Sequence, residues 1–228
     1  MRFSRWALMA AAMFAGAAAP VHAADRPDVR QAPIFVIANA APNILGTTAI
    51  KIRAERFRDN LSRALKDASQ SPLMQRLVGP ARGLSRLQQL AYVQSRVQNN
   101  IRWISDTTEW GRHDYWATAA DTLAHGAGDM DNRAIVKMHA LRALGFNPGD
   151  LFLTLARDRV GGPITVLTAR VNGRYFILDD TGGKPFLVET RSREFQPVLS
   201  FGWNGTWVHA RPASTIAMRT VAGARANK

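Results

Sequence analysis

From Ile50 to Ala68 the chain reads I-K-I-R-A-E-R-F-R-D-N-L-S-R-A-L-K-D-A, with Ile52, Phe57, Leu61 and Leu65 four or five residues apart. That spacing predicts one helical face. Pro72 is placed to open a second, short helix through Met74, Leu77 and Val78, stopped by Gly79-Pro80. Leu87, Leu90, Val93, Val97 and Ile101 recur every three or four residues and predict a longer helix over Leu84–Ile104. The period then breaks: Asp106 to Tyr115, D-T-T-E-W-G-R-H-D-Y, is polar and aromatic and reads as a structured loop. A helical turn over Ala120–Ala124 and the glycines Gly126 and Gly128 lead to a central helix from about Met130 to Leu144. Asp129 is its N-cap, Ala134, Ile135, Met138 and Leu141 are its core positions, and Gly145 with Pro148 beyond ends it.

After that helix the period changes from near four to two. Leu151–Ala156, Ile164–Val171 and Arg174–Leu178 predict strands, the last two joined by Asn172-Gly173, a pair that favours a two-residue type I′ hairpin turn. Phe186–Thr190, Gln196–Phe201 and Trp207–Ala210 are weaker strand candidates. N-terminal helices followed by a central helix packed on an antiparallel sheet make an α+β domain.

The ends have a different texture. Arg2 and Arg5 precede an apolar run from Trp6 to Pro20, and Val21-His22-Ala23 has the small-residue pattern of a cleavage site. Residues 1–23 therefore read as a signal peptide, 24–49 as an irregular Ala/Pro-rich arm, 50–212 as the domain and 213–228 as a flexible basic tail. A signal peptide implies a periplasmic or secreted protein. No later segment is apolar for long enough to span a bilayer. The formal charge of +13 falls to about +11 without Arg2 and Arg5, so anionic envelope components are candidate partners. Nucleic acid is not, because the arginines are scattered and form no ladder with aromatic residues. Cysteine is absent from all 228 residues, which removes disulfides and thiolate chemistry together.

That absence matters at one place. His125 to Phe146, H-G-A-G-D-M-D-N-R-A-I-V-K-M-H-A-L-R-A-L-G-F, is built as a nucleophile's platform: a glycine-rich approach, a capping aspartate and a helix. A helix N-terminus lowers the pKa of a thiol and binds an oxyanion. Met130, which has no proton to lose, stands there instead.

From about Arg96 to His209 the chain resembles the bacterial transglutaminase-like cysteine peptidases, a group that includes periplasmic proteases of surface adhesins. The carriers are R-V-Q-N-N-I-R-W-I-S-D, W-G-R-H-D-Y-W-A-T-A-A-D-T-L-A-H-G-A-G-D, A-I-V-K-M-H-A-L-R-A-L-G-F and N-G-R-Y-F-I-L-D-D. The resemblance implies a papain-like, transglutaminase-like fold. It puts the nucleophile position of Gly-Asp-Cys-Glu-Asp at Met130, in Gly128-Asp129-Met130-Asp131-Asn132. The family's histidine base falls on Ile164, with Pro163 and Thr165 as the neighbours a one-residue shift would select, and the orienting acid is retained as Asp179. Some family members bind calcium beside the nucleophile, which implies Asp129, Asp131 and Asn132 as ligands here. Asp129 as a plain helix cap and Asp131 as a complement to the helix dipole are the alternative. Trp110, Trp116, His125 and Asp129 are candidates to line the cleft, with Trp203 and Trp207 at its rim or in the core. Met130 and Ile164 side by side would fill the catalytic slot with hydrocarbon. The implied function is an exported pseudoenzyme holding a peptide or protein in the former cleft. A hydrolase with an unconventional nucleophile and a basic envelope-polymer-binding protein are the rivals.

Overall fold

The computed structural model describes residues 41–180, 185–187 and 194–211. The segment read as a signal peptide, most of the arm and the basic tail lie outside them. Strand β1 (Thr48–Ile52) is followed by a 3-10 turn and helix α1 (Arg58–Ala64). Then come α2 (Pro72–Val78), α3 (Arg86–Asn100), β2 (Arg102–Trp103), α4 (Asp106–Trp110), α5 (Ala119–His125), β3 (Ala127–Gly128) and α6 (Met130–Ala143). The C-terminal part is β4 (Leu151–Arg157), β5 (Pro163–Val171), β6 (Arg174–Leu178), β7 (Phe186–Leu187), β8 (Gln196–Gly202) and β9 (Gly205–Ala210). The expected α+β order is observed.

Seven strands form one sheet in the order β1-β9-β8-β4-β5-β6-β7, every neighbouring pair antiparallel. The β5–β6 hairpin turns at Asn172 and Gly173, both at positive φ (51° and 77°), as the Asn-Gly pair predicts. Two sequence expectations need correction. The helix expected over Ile50–Ala68 is split: Thr48–Ile52 pairs with β9, Ile50 opposite Val208, and only Arg58–Ala64 is α-helical. T-A-I-K-I alternates with period two, and the ladder to β9 supplies backbone partners that outweigh a helical spacing resting on Ile52 alone. The loop expected over Asp106–Tyr115 begins as α4, ended by Gly111 in the left-handed region at φ 65°.

Helix α6 runs through the middle. Asn132 to Leu141 are all buried, because α2, α3 and α5 pack on one side and β4 and β5 on the other. Capping fixes its start: the Asp129 carboxylate accepts from Asn132 N–H at 3.1 Å. Leu153, Leu167, Ala169, Leu178 and Phe201 join α6 in the main core. The sheet's second face carries Val166, Ile177 and Phe195 in one cluster and Phe152 and Trp207 in another, covered by Ile44 and Ala41. Its buried polar groups are strung together: Thr47 Oγ1 to His209 Nδ1 (2.8 Å), His209 Nε2 to Ser200 Oγ (2.8 Å), then on to Thr154 and Thr168. Burial pushes His209 down to about 4, so at neutral pH its ring is uncharged and suits that chain.

Candidate functional site

The approach to α6 is built from backbone. β3 pairs in parallel with β2, Trp103 opposite Gly128, and sets Asp129 at the helix start. Gly128 is required by close approach: a Cβ there would lie 2.8 Å from Asn132 Cβ and 3.1 Å from Thr122 Cγ2. Met130 is the first helical residue and is half-buried.

Around this turn the acids gather. Carboxylate oxygens of Asp106, Asp129 and Asp131 all lie within 4.8 Å of one another. Asn132, fully buried, ties them to the loop: its Nδ2 donates to Asp106 Oδ1 (3.0 Å) and its Oδ1 accepts from Ala117 N–H (2.7 Å). Asp106 also accepts from Tyr115 N–H at 2.5 Å. Burial, then the Asp131 charge, pushes Asp129 up to about 8. Burial also raises Asp131 to about 6 against the pull of the Thr165 hydroxyl and the Trp116 indole, and raises Asp106. Three acids this close cannot all ionise without a compensating cation. Oxygens on opposite sides of a hard cation such as calcium lie roughly 5 Å apart at most, so this donor set fits one.

A pH dependence follows. These carboxyls hold protons in the folded state at pH values where the unfolded chain has released them. Below the usual carboxylate range the difference vanishes. Without metal, stability should therefore fall as pH rises through 6 and 8, so thermal unfolding in chelator should show a lower Tm at pH 8 than at pH 5. A flat profile would show that the acids are not mutually strained.

The remaining expected residues are placed as follows. Strand parity sets Ile164 on the second face of the sheet, against Val166, Ile177 and Phe195, while Thr165 turns towards α6, where its hydroxyl favours the charged form of Asp131. The expected filling of one slot by Met130 and Ile164 is not what forms, since a one-residue step along a strand reverses the face. Asp179 is buried and its carboxylate accepts from Gln94 Nε2 (3.3 Å). With Ile164 it lines a cavity of about 350 Å³ that also touches Val160 and Phe195. His125 pairs with Glu109 (2.9 Å) and lies on the Trp110 ring (4.8 Å between centroids). Trp116 is core, its ring against Phe57 and Phe201, and its indole N–H donates to Asp114 at 3.1 Å. Trp207 packs on Phe152 across the second face, away from α6, and Trp203 stands edge-on to His139.

Sequence reasoning missed a second polar centre. Lys137 is 1% exposed and donates to the Asp179 carbonyl (2.7 Å) and to Asp180 (3.4 Å). Arg133, one turn earlier, donates to Asp180 (2.5 Å) and to the Ile101 carbonyl. The cue was there: two cations four residues apart inside a helix whose whole surface is needed for core.

The architecture is α+β, a central helix with an acid-lined N-terminus packed on an antiparallel sheet. Residues 70–212 match the family described as bacterial transglutaminase-like cysteine proteinase, BTLCP, and the chain belongs to it. It is a member without a cysteine, so the family's thiolate catalysis is lost. No curated protein matches the sequence. Among solved structures, calcium-bound LapG of Legionella pneumophila is 24% identical, covering 64% of this chain and 82% of that one at a TM-score of 0.53. EGTA-treated LapG is 21% identical, covering 70% and 87% at a TM-score of 0.52. At that identity the likeness speaks for the fold.

Proposed function

We propose that this protein is an exported pseudoenzyme that holds a peptide or protein segment across the former catalytic turn without cutting it. The observation that carries the reading is Met130 at the α6 N-terminus in a chain without cysteine. The base position supports it whichever way it is counted: Ile164 by sequence and Thr165 by strand parity both lack an ionisable side chain. Asp179 keeps the orienting acid's place and is occupied by Gln94 instead. The acid triad takes calcium, the ion carried by one solved form of LapG, with Asp106, Asp129 and Asp131 as its carboxylates and Asn132 as the residue that positions them. Calcium then fixes the turn in place of catalysis. Trp103, paired to Gly128 beside the turn, is 56% exposed and remains fit for contact.

The test is an array of mixed-sequence peptides probed with the mature protein, alongside a peptide-hydrolysis assay. Binding should be saturable and weaken about tenfold with Trp103→Ala, and no turnover should appear. Hydrolysis abolished by Asp179→Asn or His125→Ala would establish the unconventional enzyme instead. Binding only to anionic polymers, lost in salt and unchanged by Trp103→Ala, would establish the basic envelope binder.

A further inference from the structure

On the helical side of the molecule, α2 and α3 meet over a cavity of about 200 Å³. Arg76 projects into it from α2, and Arg96 with Asn100, one turn on, from α3. Its walls are Leu77 and Ile101, 7% and 1% exposed, with Leu123 of α5 and, at the lip, Leu73, which is 37% exposed. Among the described residues neither guanidinium has an ion pair or a hydrogen bond, although Arg133, Arg142 and Arg170 are all paired with aspartates. Two like charges on one small apolar hollow, with no acid between them, raise its positive potential and lack the counter-charge that would relieve it. Guanidinium groups match a carboxylate with paired donors, and the walls beneath them are aliphatic.

We propose that this hollow is a binding site for a carboxylate carried on a short aliphatic chain, separate from the α6 turn. The carboxylate sits between Arg76 and Arg96, within reach of the Asn100 amide, and the chain lies on Leu77, Ile101 and Leu123 under Leu73. The volume is below that of drug-sized pockets and suits a ligand of about one amino-acid residue. Two sources offer this chemistry: a free aliphatic acid, or the last residue of a polypeptide ending in a branched aliphatic side chain.

The mature protein is titrated with four probes, hexanoate, 1-hexanol, acetyl-Ala-Leu acid and its C-terminal amide, and the leucine and isoleucine methyl signals of the hollow are followed by NMR. The acids should bind saturably in the millimolar range or tighter and move those signals, while the alcohol and the amide should not. Arg76→Gln or Arg96→Gln should each weaken acid binding about tenfold, and Arg76→Lys should restore part of it. Both arginines are exposed on helix surfaces, so an unchanged Tm in the glutamine variants would confirm that the loss is local. Hexanoate ahead of the peptide acid identifies a free acid as the ligand; the reverse identifies a chain terminus. Equal binding of acid and alcohol, acid binding indifferent to both substitutions, or no saturable binding of either acid would overturn the assignment.

Discussion

Asn132→Asp should cost the metal-free protein about 3 kcal/mol at pH 8, a Tm loss on the order of 10 °C. The Asn132 side chain is buried and donates from Nδ2 to Asp106 at 3.0 Å while accepting from Ala117 N–H at 2.7 Å. Aspartate keeps the second bond and loses the first, leaving two buried carboxylates oxygen to oxygen. Asp106 is already raised by burial, and Asp129 and Asp131 stand beside it. One proton placed between the new pair restores a hydrogen bond, so the deficit should shrink as pH falls from 8 to 5. Calcium supplies the same relief by charge. A millimolar addition should raise the Tm of the variant more than that of the parent, which has one acid fewer to neutralise. Equal Tm values for the two proteins in chelator at pH 8 would mean that the Asn132–Asp106 bond contributes nothing.

Asparagine at 132 supplies the oxygen that the Ala117 amide needs and, where an aspartate would bring a charge, a donor aimed at Asp106. The turn is thereby easier to fold without an ion than it would be with a fourth acid there. Met130 and Asn132, two residues apart, do different things: one puts no ionisable group at the start of α6, the other holds down the charge around it.

What the sequence made legible follows from which signals are local. The cap at Asp129, the α6 helix, the Asn-Gly hairpin and the α2 boundaries rest on residues adjacent in the chain, and each stands where expected. β1 was misread because its partner, β9, is more than 150 residues away, and the alternation of T-A-I-K-I spans only five residues, too few to stand out against the helical spacing that follows. The face of Ile164 was misread for another reason. Alignment to a motif carries a one-residue uncertainty, and in a strand one residue is the difference between the two sides of the sheet. Asp106 joined the acid cluster unseen because it lies 26 residues before Asn132 and meets it only through the fold. The cavity shared by Arg76 and Arg96 is of the same kind, made by two helices whose sequences show only ordinary exposed arginines.

Asp180→Ala should destabilise the protein by about 3–5 kcal/mol, the cost of leaving buried charge without its counter-ion. Asp180 answers two cations at once, Arg133 at 2.5 Å and Lys137 at 3.4 Å, and all three side chains are at most one-tenth exposed. Arg133 keeps the Ile101 and Gln98 carbonyls, and Lys137 keeps the Asp179 carbonyl, so hydrogen bonding survives while charge balance does not. Lys137 is the weaker of the two. Burial already brings its pKa down to about 8 even with Asp180 beside it, and losing that carboxylate lowers it further. The sign of the pH dependence separates this account from simple loss of packing. A lysine whose folded pKa is depressed is charged in the unfolded chain at pH values where the folded state has let the proton go, so stability rises with pH through that window. In Asp180→Ala the window opens wider, and the variant should recover part of its deficit between pH 7 and 10. Lys137→Met in the same background should recover a similar part at pH 7 and abolish the slope, since it removes the ammonium that remains uncompensated. A deficit independent of pH and untouched by Lys137→Met would assign the loss to packing at the end of β6 and leave the buried charge pair without a part in holding α6 to the sheet.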